Sequence, residues 1–191
     1  MTGRGRATRA RIVVLGVGNL IRTDDGLGVQ ALQRLSADPR IPRAGDAAGA
    51  GFEIDFIDGS TRGLELVNET GEATHVLILD AIDVEAEPGM LVRLSGQELA
   101  NLPGGWSVHQ LGVVDWMTAQ LLLTGRLPEI RVLGLQPAET GWGTTLSAAL
   151  EPHVGRLVDA AVEQLQQWVV AAPVPDGLAA SGRPCATGCG F

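Results

Sequence analysis

Four short strand-like segments, Ile12–Val17, Phe52–Ile57, Val76–Leu79 and Ile130–Leu135, are separated by turn residues and by stretches of helical spacing. This alternation leaves few folds open, because strands interleaved with helices are joined by right-handed crossovers into a mostly parallel sheet covered on both faces. Ile12–Val17 and Val76–Leu79 are continuous apolar runs, as buried parallel strands require. The spacing of Leu27, Val29, Ala31, Leu32 and Leu35 predicts a helix over 26–35. A short helix is expected over 63–70, with Leu64 and Val67 on one face, and a longer one over 111–123, stopped by Gly125. The longest stripe, Leu146, Leu150, Val154, Leu157, Ala161, Leu165 and Trp168, predicts a helix over 147–170, with Pro152 awkwardly close to its start. Met90–Leu94 reads as a weaker strand, 95–101 as a helical turn and 39–51 as a loop.

The expected class is therefore α/β, a mostly parallel twisted sheet sandwiched between helices (α/β/α, phosphorylase/hydrolase-like). One domain over residues 12–170 accommodates every element. An arginine-rich flexible segment (1–11) is expected before it and a disordered tail rich in proline and glycine (171–191) after it. Arg4, Arg6, Arg9 and Arg11 precede an apolar run, as in a secretory signal, but Gly16, Gly18, Asn19, Asp24 and Asp25 break it without a cleavage site. No stretch approaches the length of a membrane span.

Composition removes several functions. All 14 basic residues are arginine, which excludes Schiff-base chemistry and a Walker-type phosphate lysine. A net charge of −8 argues against a nucleic-acid partner. The two cysteines, Cys185 and Cys189, both fall in the tail, as expected of a reduced cytoplasmic protein, and their capture of a metal there has little support. Gly16-Val17-Gly18 begins a dinucleotide fingerprint, but Ile21 occupies the third glycine position. Gly105-Trp106-Ser107-Val108-His109 nearly matches a nucleophile elbow, yet ends in histidine and follows no clear strand, so Ser107 is a poor nucleophile candidate.

In open parallel sheets, sites form beyond the carboxyl ends of the strands. Here those ends carry Asn19, Asp24 and Asp25 after the first run, Asp58-Gly59 after the second and Asp80 after the third. His109 stands in a loop before a helix. Taken singly, Asp25 reads as a helix cap and Asp58-Gly59 as a turn. Asp80, directly after Val-Leu-Ile-Leu, is costly to bury without a partner. His75 and His153 read as a strand start and a helix surface, outside the site. Asp25, Asp80 and His109 together suit a borderline divalent ion, while two close carboxylates would equally supply an acid and a base for hydrolysis. Spacing does not choose between these uses.

The stretch Val14-Leu15-Gly16-Val17-Gly18-Asn19-Leu20-Ile21-Arg22-Thr23-Asp24-Asp25-Gly26-Leu27-Gly28-Val29 strongly resembles the opening of the nickel–iron hydrogenase maturation endopeptidases. Asp58-Gly59-Ser60-Thr61, Leu79-Asp80-Ala81 and His109-Gln110 then follow in that family's order, so the resemblance covers residues 12–170. It implies the same sandwiched sheet and an aspartic-type endopeptidase that removes the C-terminal extension of a hydrogenase large-subunit precursor after nickel insertion. By motif matching, Asp25, Asp80 and His109 fall on the nickel-contacting, catalytic positions, with nickel carried by the substrate and no tightly bound cofactor. Members more often carry glutamate where this chain has Asp25. Asp58, Gly59 and Asn19 are weaker candidates for shaping the substrate cleft. A cytoplasmic monomer with no nucleic-acid partner and no membrane insertion is expected. The competing readings are a non-proteolytic nickel-binding chaperone or adaptor of hydrogenase assembly and, more distantly, a small-molecule hydrolase.

Overall fold

The structure, a computed structural model, describes residues 10–42, 51–101 and 108–171. Strands β1 (Ala10–Val17), β2 (Phe52–Ser60), β3 (His75–Ala81), β4 (Leu91–Ser95) and β5 (Glu129–Leu135) form one sheet in the order β2-β1-β3-β5-β4. The first four positions in that order are parallel and β4 closes the edge antiparallel to β5. Helices α1 (Leu27–Ser36), α2 (Leu66–Thr70), α3 (Gly96–Asn101), α4 (Val108–Thr124) and α5 (Val154–Ala171) complete the described fold, with 3-10 turns at Thr23–Gly26 and Glu151–His153.

Two apolar layers account for the sandwich. On one face Ile12, Val14, Leu77 and Leu79 pack with Leu27, Leu35, Leu157, Leu165 and Trp168 of α1 and α5. On the other, Val13, Leu15, Val76 and Ile78 pack with Leu66, Val67, Leu99, Val113, Trp116 and Met117 of α2, α3 and α4. Adjacent strand residues divide between the two layers, as the period of two requires. The polar Thr70 and Gln120 are both buried in the α2–α4 contact. There the Thr70 hydroxyl accepts the Trp116 indole N–H at 2.8 Å and donates to the Leu66 carbonyl at 2.7 Å.

Several boundaries differ from the sequence-based expectation. α2 starts only at Leu66, and Leu64 is 58% exposed rather than sharing the buried face of Val67. β3 runs from His75 to Ala81, one residue beyond Asp80, where the third strand was expected to end. α4 starts at Val108, which puts His109 in its first turn and not in the preceding loop. α5 starts at Val154, because Pro152 lacks the N–H that an α-turn would use and is accommodated in a 3-10 turn instead. β1 begins at Ala10, two residues before the apolar run. Ser107, already a poor nucleophile candidate, and the tail cysteines lie outside the described residues.

Gly28 sets the distance between α1 and the sheet. A Cβ there would lie 2.1 Å from the Leu79 carbonyl oxygen and 2.2 Å from that of Val17, so only glycine lets the helix seat itself across β1 and β3.

His75, at the start of β3, stays out of the carboxyl edge. Its ring lies 4.9 Å from the Trp168 ring, and burial holds its pKa below the ordinary value, outweighing the Glu129 carboxylate 3.8 Å away. A lowered folded-state pKa means that the unfolded chain takes up the proton first. The stability from keeping His75 neutral is thus complete above its unfolded pKa of about 6.5 and is lost as the pH falls below it. A His75→Gln variant should show a flatter fall of Tm than wild type between about pH 7 and pH 5.5, measured by thermal melts.

Candidate functional site at the β1–β3 switch point

The strand order singles out one place along the carboxyl edge. From β1 the chain passes through α1 on one face to β2, then returns through α2 on the opposite face to β3, on the far side of β1. The connections leaving β1 and β3 therefore diverge, and a ligand site is expected between their carboxyl ends. Asp25 follows β1 and Asp80 is the penultimate residue of β3.

Asp25 is placed by backbone geometry. Gly18 adopts φ +137°, and a Cβ on it would lie 2.0 Å from the Asp25 carbonyl oxygen. The Asn19 N–H donates to that same oxygen at 3.1 Å, the Asn19 Oδ1 accepts the Ile21 N–H at 3.2 Å, and the Asp25 N–H donates to the Arg22 carbonyl at 2.8 Å. The 3-10 turn thus formed lies against β3, with Asp25 half-buried. Gly18→Ala should push the Asp25 backbone out of place and lower Tm in a thermal melt, since the added Cβ would meet the Asp25 carbonyl in a positive-φ conformation that alanine rarely adopts.

Asp24 points elsewhere. It is fully buried and accepts four hydrogen bonds, from the N–H groups of Ala138 (2.9 Å), Glu139 (3.0 Å) and Ser147 (2.7 Å) and from the Ser147 hydroxyl (2.9 Å). It therefore clamps the loop after β5 onto the loop after β1. The sequence reading did not assign this role. The adjacent pair Asp24-Asp25 held the clue, since consecutive residues of a 3-10 turn point roughly 120° apart and cannot share one site.

Asp80 is 5% exposed, and its Oδ1 accepts the Ala81 N–H at 2.8 Å. Alternation along β3 puts it on the face of Val76 and Ile78, the face that α4 covers. The first turns of α4 stand at the same carboxyl edge, where the Gly112 Cα would lie 3.4 Å from a Cβ on Gly63, just beyond β2. His109 belongs to that first turn, while its side chain lies outside the described residues.

The cleft candidates sit farther along the edge. Asp58 is exposed, and its Oδ1 accepts the Ser60 hydroxyl at 2.6 Å. It pairs with Gly16, beside a bulge at Gly59, where the Gly16 and Val17 partners jump from Asp58 to Ser60. β1 intervenes between it and β3, a separation of roughly 10 Å at the usual strand spacing. Phe52, Ile54 and Phe56 all join the α1 layer, so alternation puts Asp58 on the face opposite Asp80. Asp58 is thus a wall of the edge and not the second member of a carboxylate pair with Asp80.

Among the described residues no three histidine, cysteine or acidic side chains are arranged to hold a metal. Asp25 and Asp80 supply hard oxygen donors at the switch point, and a third donor from the α4 turn would complete a set suited to a borderline divalent ion. The same two carboxylates are equally the groups at hand for general acid–base hydrolysis.

The five-stranded sheet with helices on both faces and carboxylates at its switch point defines an open α/β class that hosts many functions, and comparison with known proteins narrows it. A family model described as hydrogenase maturation protease matches residues 39–168. The chain is 32% identical over 178 residues to the hydrogenase 2 maturation protease of Escherichia coli (strain K12), covering 91% of this chain and 96% of that protein. It is 34% identical over 164 residues to the hydrogenase expression/formation protein HupD of Bradyrhizobium diazoefficiens, covering 84% and 80%. Among solved structures it is similar to the hydrogenase maturating endopeptidase HybD from E. coli, with a TM-score of 0.72, 29% identity and coverage of 83% of this chain and 93% of that one. This chain belongs to the hydrogenase maturation protease family. It is thus a hydrolase of the endopeptidase class. Among the described residues no helix is long and apolar enough to cross a membrane.

Proposed function

We propose that this protein removes the C-terminal extension of a nickel–iron hydrogenase large-subunit precursor, acting in the cytoplasm on a precursor that already carries nickel. The placement that supports this most directly is that of Asp25 in the turn after β1 and Asp80 at the end of β3, on neighbouring strands at the switch point, in a chain of this family. In this reading the nickel belongs to the substrate, and Asp25, Asp80 and His109 complete its coordination. Only a loaded precursor is then held with its scissile bond in place, so discrimination arises from differential binding of loaded and empty precursor. The aspartic-type assignment means that hydrolysis draws on a carboxylate of the same set as base, with the protein holding no resident cofactor.

Purified protein mixed with precursor, with and without nickel, tests this by intact mass. The shortened product should appear with loaded precursor and at least about tenfold more slowly with empty precursor, as metal-dependent positioning requires. Equal processing of both would overturn the recognition model. Metal binding with no cleavage at all would instead favour the chaperone or adaptor reading. Asp25→Glu, which restores the longer side chain usual in the family, should keep at least about a tenth of wild-type turnover, whereas Asp25→Ala should keep none measurable.

A further inference from the structure

The loops that hold Asp25 also present an apolar surface that the chemistry does not use. Ile21 is 53% exposed and Trp142 79% exposed, with Leu20 beside them at 38%. They come from loops more than a hundred residues apart, yet the two loops are bonded along their length. The Gly143 N–H donates to the Ile21 carbonyl at 3.1 Å, and the Thr23 N–H donates to the Gly143 carbonyl at 2.9 Å. The Thr23 hydroxyl donates to the Glu139 carbonyl at 2.8 Å, and Arg22 donates to the Thr140 carbonyl through Nε and Nη2 at 3.0 and 2.7 Å. The Arg22 guanidinium also lies over the Trp142 ring, 5.6 Å from its centroid. Beneath them is the four-bond clamp on Asp24.

We propose that Ile21 and Trp142 form the docking platform for the polypeptide of the hydrogenase precursor, so that apolar side chains flanking the scissile bond are received next to Asp25. The inference rests on the function proposed above. Three observations carry it. A large aromatic ring left almost fully exposed is costly in an isolated protein and marks a contact surface. Its pre-ordering by hydrogen bonds and by Arg22 removes the entropy that binding would otherwise spend on fixing it. The platform is also continuous with the site, because Ile21 stands two residues before the 3-10 turn Thr23–Gly26 that carries Asp25, and the Asp25 N–H donates to the carbonyl of Arg22, next to Ile21.

The test is steady-state processing of nickel-loaded precursor by wild type, Trp142→Ala, Ile21→Ser and the double variant. Exposed aromatic anchors commonly lose tenfold or more on truncation, so KM should rise at least about tenfold for Trp142→Ala and further for the double variant. Leu122→Ser serves as the control. Leu122 is also 79% exposed, but it lies near the far end of α4, away from the carboxyl edge, and its loss should leave KM within about twofold of wild type. Trp142→Phe should recover most of the loss, which distinguishes an apolar contact from a collapsed loop. An unchanged KM in the double variant overturns the platform, whereas absence of cleavage by wild type overturns the function on which it rests.

Discussion

Asp80→Asn is expected to fold like the wild-type protein and to lose cleavage of the nickel-loaded precursor by at least about a hundredfold, the usual scale for removing a positioned acid–base group. The substitution is chosen because an amide oxygen can still accept the Ala81 N–H that Asp80 Oδ1 now accepts at 2.8 Å. The buried end of β3 therefore keeps its hydrogen bond, while the charge and one of two metal-competent oxygens are removed. The loss should fall on turnover if the carboxylate acts as base. It should fall on the preference for loaded over empty precursor if the carboxylate reads nickel. Intact-mass time courses on both precursors, with circular dichroism of the variant, give the answer. Full activity in a folded Asp80→Asn protein would remove Asp80 from the site.

Asp24→Ala should have the largest effect on stability. Alanine leaves the N–H groups of Ala138, Glu139 and Ser147 and the Ser147 hydroxyl without their acceptor in a fully buried position. Each unsatisfied buried donor costs about 1–3 kcal/mol, and water entering between two surface loops would relieve part of that sum. A net loss of about 3–5 kcal/mol is therefore expected. For a chain of this size the corresponding drop in Tm is about 10 °C. Asp24→Asn, which keeps one acceptor oxygen but turns an amide N–H₂ towards other donors, should fall between alanine and wild type. Processing should weaken in both variants at temperatures where they are still folded, because the clamp fixes the turn that carries Asp25. A thermal melt of Asp24→Ala indistinguishable from wild type would show that the two loops are held by their backbone bonds alone.

The two aspartates of this turn show how far a sequence can be read. Their presence after the first strand, the four strand segments and the helical stripes were all legible, because burial imposes periods of 2 and 3.6 directly on the order of residues. The mostly parallel sandwich followed from that alternation, and the family followed from four ordered motifs. Boundaries were less legible where backbone chemistry, not periodicity, decides them. Pro152 delays α5 until Val154, and β3 takes in Asp80 because its pairing with β5 continues as far as Ala81 and Leu135.

What the sequence determined by itself was which groups stand at the carboxyl edge, since strand order in the chain dictates which residues follow each strand. Which of them meet was decided only by the tertiary structure. Asp24 turns inward to hold a loop more than a hundred residues away, Asp58 falls on the opposite face from Asp80, and the loop of Ile21 is bonded to the loop of Trp142. The reason is physical: local periodicity records whether a side chain is buried, but its partner is fixed by how strands far apart in the chain are ordered and registered. That long-range pairing leaves no periodic trace in the residues themselves.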